Sequence, residues 1–146
     1  MSDTQIPALD HSVQQINIWL KALGEELHRE DRREAYLALR AVLHVLRDRL
    51  TPEQAAHLGA QLPTIVRGLF YEGWRVSAKP DSERQPADFA ALVAAELPPP
   101  MGRDALRVTK AVFALLAKEL DPGETAKLAA MLPVPLRSLW PTTHSA

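Results

Sequence analysis

The sequence predicts an all-α protein of about eight helices, built as two tandem four-helix modules packed into one globule. Three observations lead there. Apolar residues recur at three- and four-residue spacing through most of the chain, the period of one helix face. No stretch alternates polar and apolar residues long enough to make a strand. The chain also resembles itself: shifted by 70 positions, residues 41–70 lie over residues 111–140 without a gap.

In that register twelve of the thirty pairs are identical, among them Val42/Val112, Leu46/Leu116, Leu50/Leu120, Pro52/Pro122, Leu58/Leu128, Leu62/Leu132, Pro63/Pro133 and Arg67/Arg137. Phe70 over Trp140 is conservative, and upstream Trp19 meets Phe89, Leu23 meets Val93 and Leu27 meets Leu97. The expected division is a first module at residues 8–74, a linker at 75–82 rich in Ser, Pro and charge, and a second module at 83–142. A pseudo-twofold arrangement is expected rather than a solenoid, because two repeats alone make a poor solenoid without capping units.

The elements follow in order. A first helix near His11–His28 carries Val13, Ile16, Leu20, Leu23 and Leu27 on one stripe. The turn His28–Arg32 aligns with Pro98-Pro99-Pro100-Met101-Gly102, whose prolines predict a non-helical connection there as well. A second helix near Arg32–Arg49 places Ala35, Leu39, Val42 and Leu46 on its apolar face. Thr51-Pro52-Glu53-Gln54 then opens a third. Thr51 can accept from the Gln54 N–H while Gln54 reaches back, and Pro52 falls where no N–H is needed. Asp121-Pro122-Gly123-Glu124 is expected to do the same work in the second copy. Both third helices should break at Leu-Pro, since the residue before proline is pushed out of helical geometry. A short fourth helix follows, carrying Arg67-Gly68-Leu69-Phe70 or Arg137-Ser138-Leu139-Trp140. The glycines placed by motif read as caps, and Gly73 in particular as a left-handed stop after which Trp74 folds back.

Composition narrows the function. The chain has 146 residues, Lys+Arg 17 against Asp+Glu 18, and no cysteine. Disulfide, thiolate-metal and cysteine-nucleophile chemistry are thereby excluded. The near-neutral balance lacks the basic excess of a nucleic-acid surface, and no segment reaches the ~20 apolar residues of a membrane span. Met1-Ser2-Asp3-Thr4 lacks the basic and apolar parts of a secretory leader, so the expected compartment is the cytoplasm.

No catalytic motif is present: no G-x-S-x-G elbow, phosphate-cradling glycine loop, H-E-x-x-H or dinucleotide fingerprint. The reading therefore leans away from an enzyme and expects no catalytic residue, cofactor or metal. His44 and Asp48 share a helix face, but two ligands are too few for a metal and a surface or capping pair is expected. Glu25, Glu26, Glu30 and Asp31 read as a solvated helix end. Arg67 and Arg137 recur on an otherwise apolar helix. Each either bonds the carbonyl end of a neighbouring helix or clamps an anion or a partner's carboxylate. Phe70-Tyr71-Glu72-Gly73-Trp74 concentrates three of the chain's aromatics, as a staple between the halves or as anchors for a partner. The second copy keeps Trp140 and loses the Tyr-x-Gly-Trp tail, so any partner site is expected to be asymmetric. The candidate interaction residues are Arg67, Tyr71, Trp74, Arg137 and Trp140.

The run Leu50–Pro63 followed by Arg67-Gly68-Leu69-Phe70-Tyr71-Glu72-Gly73-Trp74 resembles the bacterial DUF2267 family, a domain of unknown function. Phe89 with Val93 and the later Leu-Pro-x-x-x-Arg resemble its pattern too. The resemblance implies a small prokaryotic helical protein of two related halves. It implies no activity and supplies no catalytic residues.

The expected function is that of a non-catalytic interaction or scaffold module, with an unknown protein or a second copy of itself as partner and neither nucleic acid nor membrane. The alternative is a small-ligand sensor or carrier, with a pocket between the modules lined by Trp19, Phe89 or Tyr71 and an arginine. A DNA-reading role for the short fourth helix is set aside, because Thr64-Ile65-Val66 and Leu69-Phe70 are too apolar to track phosphates.

Overall fold

Helix starts follow the caps written in the sequence. The computed structural model describes residues 4–76, 80–82 and 84–141, and among these the chain forms nine helices and no strand. In order they are α1 (Pro7–Leu27), α2 (Arg32–Arg49), α3 (Pro52–Gln61), α4 (Thr64–Tyr71), α5 (Pro86–Ala95), α6 (Pro99–Gly102), α7 (Ala105–Glu119), α8 (Pro122–Met131) and α9 (Val134–Arg137). Asp31 opens α2 by accepting from the Arg33 N–H at 2.9 Å. Thr51 and Gln54 form the reciprocal capping box at the start of α3. Asp121 accepts from the N–H groups of Gly123 and Glu124 to open α8. Both α3 and α8 stop at their Leu-Pro pairs, where Leu62 and Leu132 are extended.

Three expectations are corrected. The Pro98–Gly102 connection is helical for one turn. Prolines fill the first positions of α6, where a missing N–H is harmless, and Met101 and Gly102 both donate to the Pro98 carbonyl. The stripe of α1 is core only in its C-terminal half. Leu20, Leu23 and Leu27 are buried, but Val13 is 44% exposed, as are Ile6, Leu9 and Ile18 to similar degrees, so among the described residues the start of α1 is left largely uncovered. The glycines are mostly not caps: Gly24, Gly59 and Gly68 lie inside helices, and Gly73 alone among the described glycines has a positive φ, +72°. A non-glycine, His28, closes α1 in left-handed geometry, with the Arg29 N–H returning to the Gly24 carbonyl at 2.9 Å.

The core lies around α2 and α7, which pack against each other. α1 rests on both, and so does α5. α4 packs on α1, α2 and α3, α8 packs on α7, and α9 touches α5. Positions that align in the sequence are buried in both places: Trp19 and Phe89, Leu23 and Val93, Leu43 and Phe113, Leu62 and Leu132, Leu69 and Leu139. Phe89 meets Phe113 edge-on with ring centres 5.8 Å apart. All of these belong to one continuous apolar core, the largest source of stability, at roughly 1.5–3 kcal/mol for each fully buried large side chain.

Candidate functional site

Each candidate arginine bonds backbone carbonyls near the end of the helix before it. The Arg67 Nε donates to the Gly59 carbonyl at 2.9 Å and its Nη2 to those of Leu62 and Ala60 at 3.0 and 3.4 Å. Arg137 donates from Nε to the Leu132 carbonyl at 2.9 Å and from Nη2 to that of Ala130 at 3.0 Å. These carbonyls lie where a helix has run out of its own donors and carries partial negative charge, so a guanidinium there is favourable. The guanidinium also bridges the break at Leu-Pro.

Gly73 turns the chain after α4, and the Trp74 N–H donates to the Tyr71 carbonyl at 3.0 Å. Trp74 stacks on Tyr71 with ring centres 5.3 Å apart, and Tyr71 meets Phe70 edge-on at 5.2 Å. Both Tyr71 and Trp74 are half-buried against the core. The Tyr71 hydroxyl occupies the space that a side chain at Gly59 would need, so the glycine of α3 is required by the close approach of this ring. At the aligned positions Ala129 and Pro141 stand in place of Gly59 and Tyr71, and the tyrosine and the glycine are absent together.

Sequence reading missed what holds the end of α4. The buried His44 of α2 does not pair with Asp48. Its Nε2 lies 2.7 Å from the Leu69 carbonyl, to which it donates. One turn on, the buried Arg47 donates from Nη1 to the Phe70 and Glu72 carbonyls at 3.1 and 2.7 Å, and from Nε to Asp48 at 2.9 Å. Arg40, a turn before His44, donates to the Glu72 carboxylate at 2.7 Å. Burial pushes the His44 pKa down and outweighs the stabilising hydrogen bond to Leu69, with Arg47 and Arg40 repelling its charged form. The charged imidazole is therefore disfavoured, and the neutral ring that donates to the Leu69 carbonyl carries its proton on Nε2. The bond from Arg40 holds the Glu72 carboxyl below its ordinary range, and raises Arg40 in return, with Glu96 at the end of α5 adding to the effect.

The same faces on α7 and α9 are arranged differently. In the alignment Ala114 replaces His44, Ala117 replaces Arg47, Lys110 replaces Arg40 and Arg107 replaces Leu37. The result is an open groove of about 430 Å³ lined by Glu26 of α1, Arg107, Lys110 and Ala114 of α7, and the segment Ser138–Pro141. Arg107 and Lys110 are exposed, and among the described residues neither forms an ion pair. Trp140 is half-buried in this groove, and its ring packs on Phe113 at 5.1 Å.

The structure therefore separates the candidates. Arg67 and Arg137 sit on carbonyls, Tyr71 and Trp74 form one stacked pair at the end of α4, and Trp140 shares a groove with Arg107 and Lys110, which form no ion pair among the described residues. The signal for that groove was in the mismatches of the alignment rather than in its identities.

Elsewhere His57 of α3 and Glu124 of α8 form an exposed pair at 2.7 Å, and this hydrogen bond lowers the Glu124 pKa. Among the described residues no group of three or more His, Asp or Glu could hold a metal, and no helix is long and apolar enough to cross a membrane. A comparison with curated proteins gives no match. The family model described as an uncharacterized conserved protein, DUF2267, matches residues 16–139, which span every helix from the middle of α1 to the end of α9. The chain belongs to the DUF2267 family.

Proposed function

We propose that the protein is a non-catalytic interaction module that docks a segment of a partner protein at the groove beside Trp140. One observation carries this reading. The polar side chains facing α4 are engaged with the protein's own backbone and with each other, whereas the corresponding place on α7 leaves two cations and an aromatic facing an open groove. Half-buried aromatics beside arginine are the residue types that dominate protein interfaces.

The two-module organisation, 8–74 and 83–142 joined by 75–82 about a pseudo-twofold axis, belongs to the same proposal. Two features support it. α1 rests on α2 and α7 while α5 rests on α7 and α2, the exchange a twofold produces. Aligned residues also meet across α3 and α8, where Gln54 and Glu124, Leu58 and Leu128, and Gln61 and Met131 surround one small cavity. The sensor reading has less support, because Trp19 and Phe89, which would line its pocket, are packed in the core.

Photo-crosslinking in the source cell tests the proposal. A benzoylphenylalanine placed at the exposed Glu26, on the α1 side of the groove, is expected to capture a protein partner, and capture should fall when Trp140 is changed to Ala. The same probe at the exposed Glu53 of α3 should capture none. Equal capture at both positions, or none at Glu26, overturns the reading.

A further inference from the structure

We propose that the groove beside Trp140 takes an acidic segment of a partner protein, with a Glu or Asp carboxylate of that segment set against Arg107 and Lys110. The inference rests on the docking role proposed above and adds the chemistry of the occupant.

The template is inside the molecule. At the aligned place on α2, the cation of Arg40 is held by the Glu72 carboxylate at 2.7 Å, and the space beside it is filled by the His44 imidazole. On α7 the cation is Lys110, the space beside it is vacant because Ala114 has no ring, and a second cation, Arg107, stands where α2 has Leu37. Charge points the same way. Arg40 is drawn upon by two carboxylates, Glu72 and Glu96. Arg107 and Lys110 share their groove with one, Glu26, which aligns with Glu96. One incoming carboxylate supplies the missing counterpart of Glu72 and leaves the groove balanced.

The remaining lining suits a peptide rather than a polyanion. Ala111, Ala114, Leu139, Trp140 and Pro141 offer apolar contact for a neighbouring side chain. A phosphate backbone would run against Glu26, and the chain's net charge of -1 gives no long-range attraction for it.

The test is selection of random 12-residue peptides displayed on phage against the full chain, followed by fluorescence anisotropy of the best binders. The expected peptides carry at least one Glu or Asp. Changing that residue to Gln or Asn in the peptide, or making the double variant R107Q/K110Q in the protein, should weaken binding at least ten-fold. Lys110→Arg should keep it, and affinity should fall as salt rises. Arg107 and Lys110 are exposed, so thermal melts of the variants should match the parent.

Binders that depend on Trp140 but carry no acidic residue, or that ignore R107Q/K110Q, overturn the carboxylate assignment and leave the docking surface standing. Binders indifferent to Trp140→Ala, no binders at all, or crosslinks from the groove to residues 142–146 of the same chain overturn both.

Discussion

The end of α4 and the end of α9 meet the two central helices in opposite ways. Against α2, the chain after Leu69 is bonded at three successive points, by His44 on the Leu69 carbonyl and by Arg47 on those of Phe70 and Glu72, and Arg40 with Glu72 closes the edge. Against α7, alanines stand in both donor positions and the edge is open. The helices themselves record the difference: α4 runs for 8 residues, while α9, with Pro135 in place of Ile65, runs for 4. Similar apolar positions can thus build one core while the polar positions between them bond one face internally and leave the other open.

The largest expected effect breaks the internally bonded face. Arg47→Ala leaves the Phe70 and Glu72 carbonyls without their buried donor and should destabilise the protein by about 3 kcal/mol in chemical denaturation. Ala117→Gly, at the aligned place on α7, removes no such donor and should cost only about the helix propensity, ~1 kcal/mol. Equal losses would mean that the end of α4 does not depend on this bonding.

His44→Ala comes next, at about 2 kcal/mol for the lost hydrogen bond and the space it leaves. It also has a pH signature. Because the folded state holds His44 below its ordinary pKa, the unfolded chain binds the proton more readily, and stability is lost as pH falls below about 6.5. Arg40, Arg47 and Glu72 face the ring, and Glu72 is held low, so it titrates in a separate, more acidic window. In denaturation curves between pH 7 and 5, His44→Ala should flatten the slope.

Gly59→Ala sets two terms against each other: a helix gain of about 1 kcal/mol and a clash with Tyr71, whose ring is held by Phe70 and Trp74. Overpacking of this kind costs about 1–3 kcal/mol, so a net loss of about 1 kcal/mol is expected. With Tyr71 changed to Ala as well, the same change at Gly59 should stabilise.

How much of this was legible follows from the range of the interactions. The capping box at Thr51, the Asp121 cap, the Leu-Pro breaks and the Gly73 stop are local, each set within a few residues, and the sequence states them outright. Family membership was legible from the Leu50–Trp74 run. The roles of His44 and Arg47 were not, because their acceptors are backbone carbonyls 23 to 25 positions away and a carbonyl has no letter. The exposed start of α1 was hidden because periodicity gives the face of a helix but not where its neighbours end. The groove was hidden because it arises from what Ala114 and Ala117 lack.

Arg67→Ala and Arg137→Ala are the smaller stability tests. Both side chains are exposed, so each should cost about 1 kcal/mol or less, with Arg67 the larger because it reaches three carbonyls where Arg137 reaches two. A ligand-dependent effect at either, with no change in melting, would favour the anion-clamp role instead.

The smallest effect on stability is also the sharpest test of the comparison. Ala114→His would place on α7 the ring that α2 carries at His44, beside Lys110 and within the groove. Ala114 is half-buried and lines open space, so the imidazole can enter without displacing the core, and the melting curve should move by less than about 0.5 kcal/mol. If the difference between the two faces lies in that vacancy, the filled groove should bind acidic peptides at least ten-fold more weakly while Arg107 and Lys110 remain in place. Binding that persists unchanged would show that the vacancy beside Lys110 is not what admits the partner, and would transfer the weight of recognition to Trp140 and Arg107 alone.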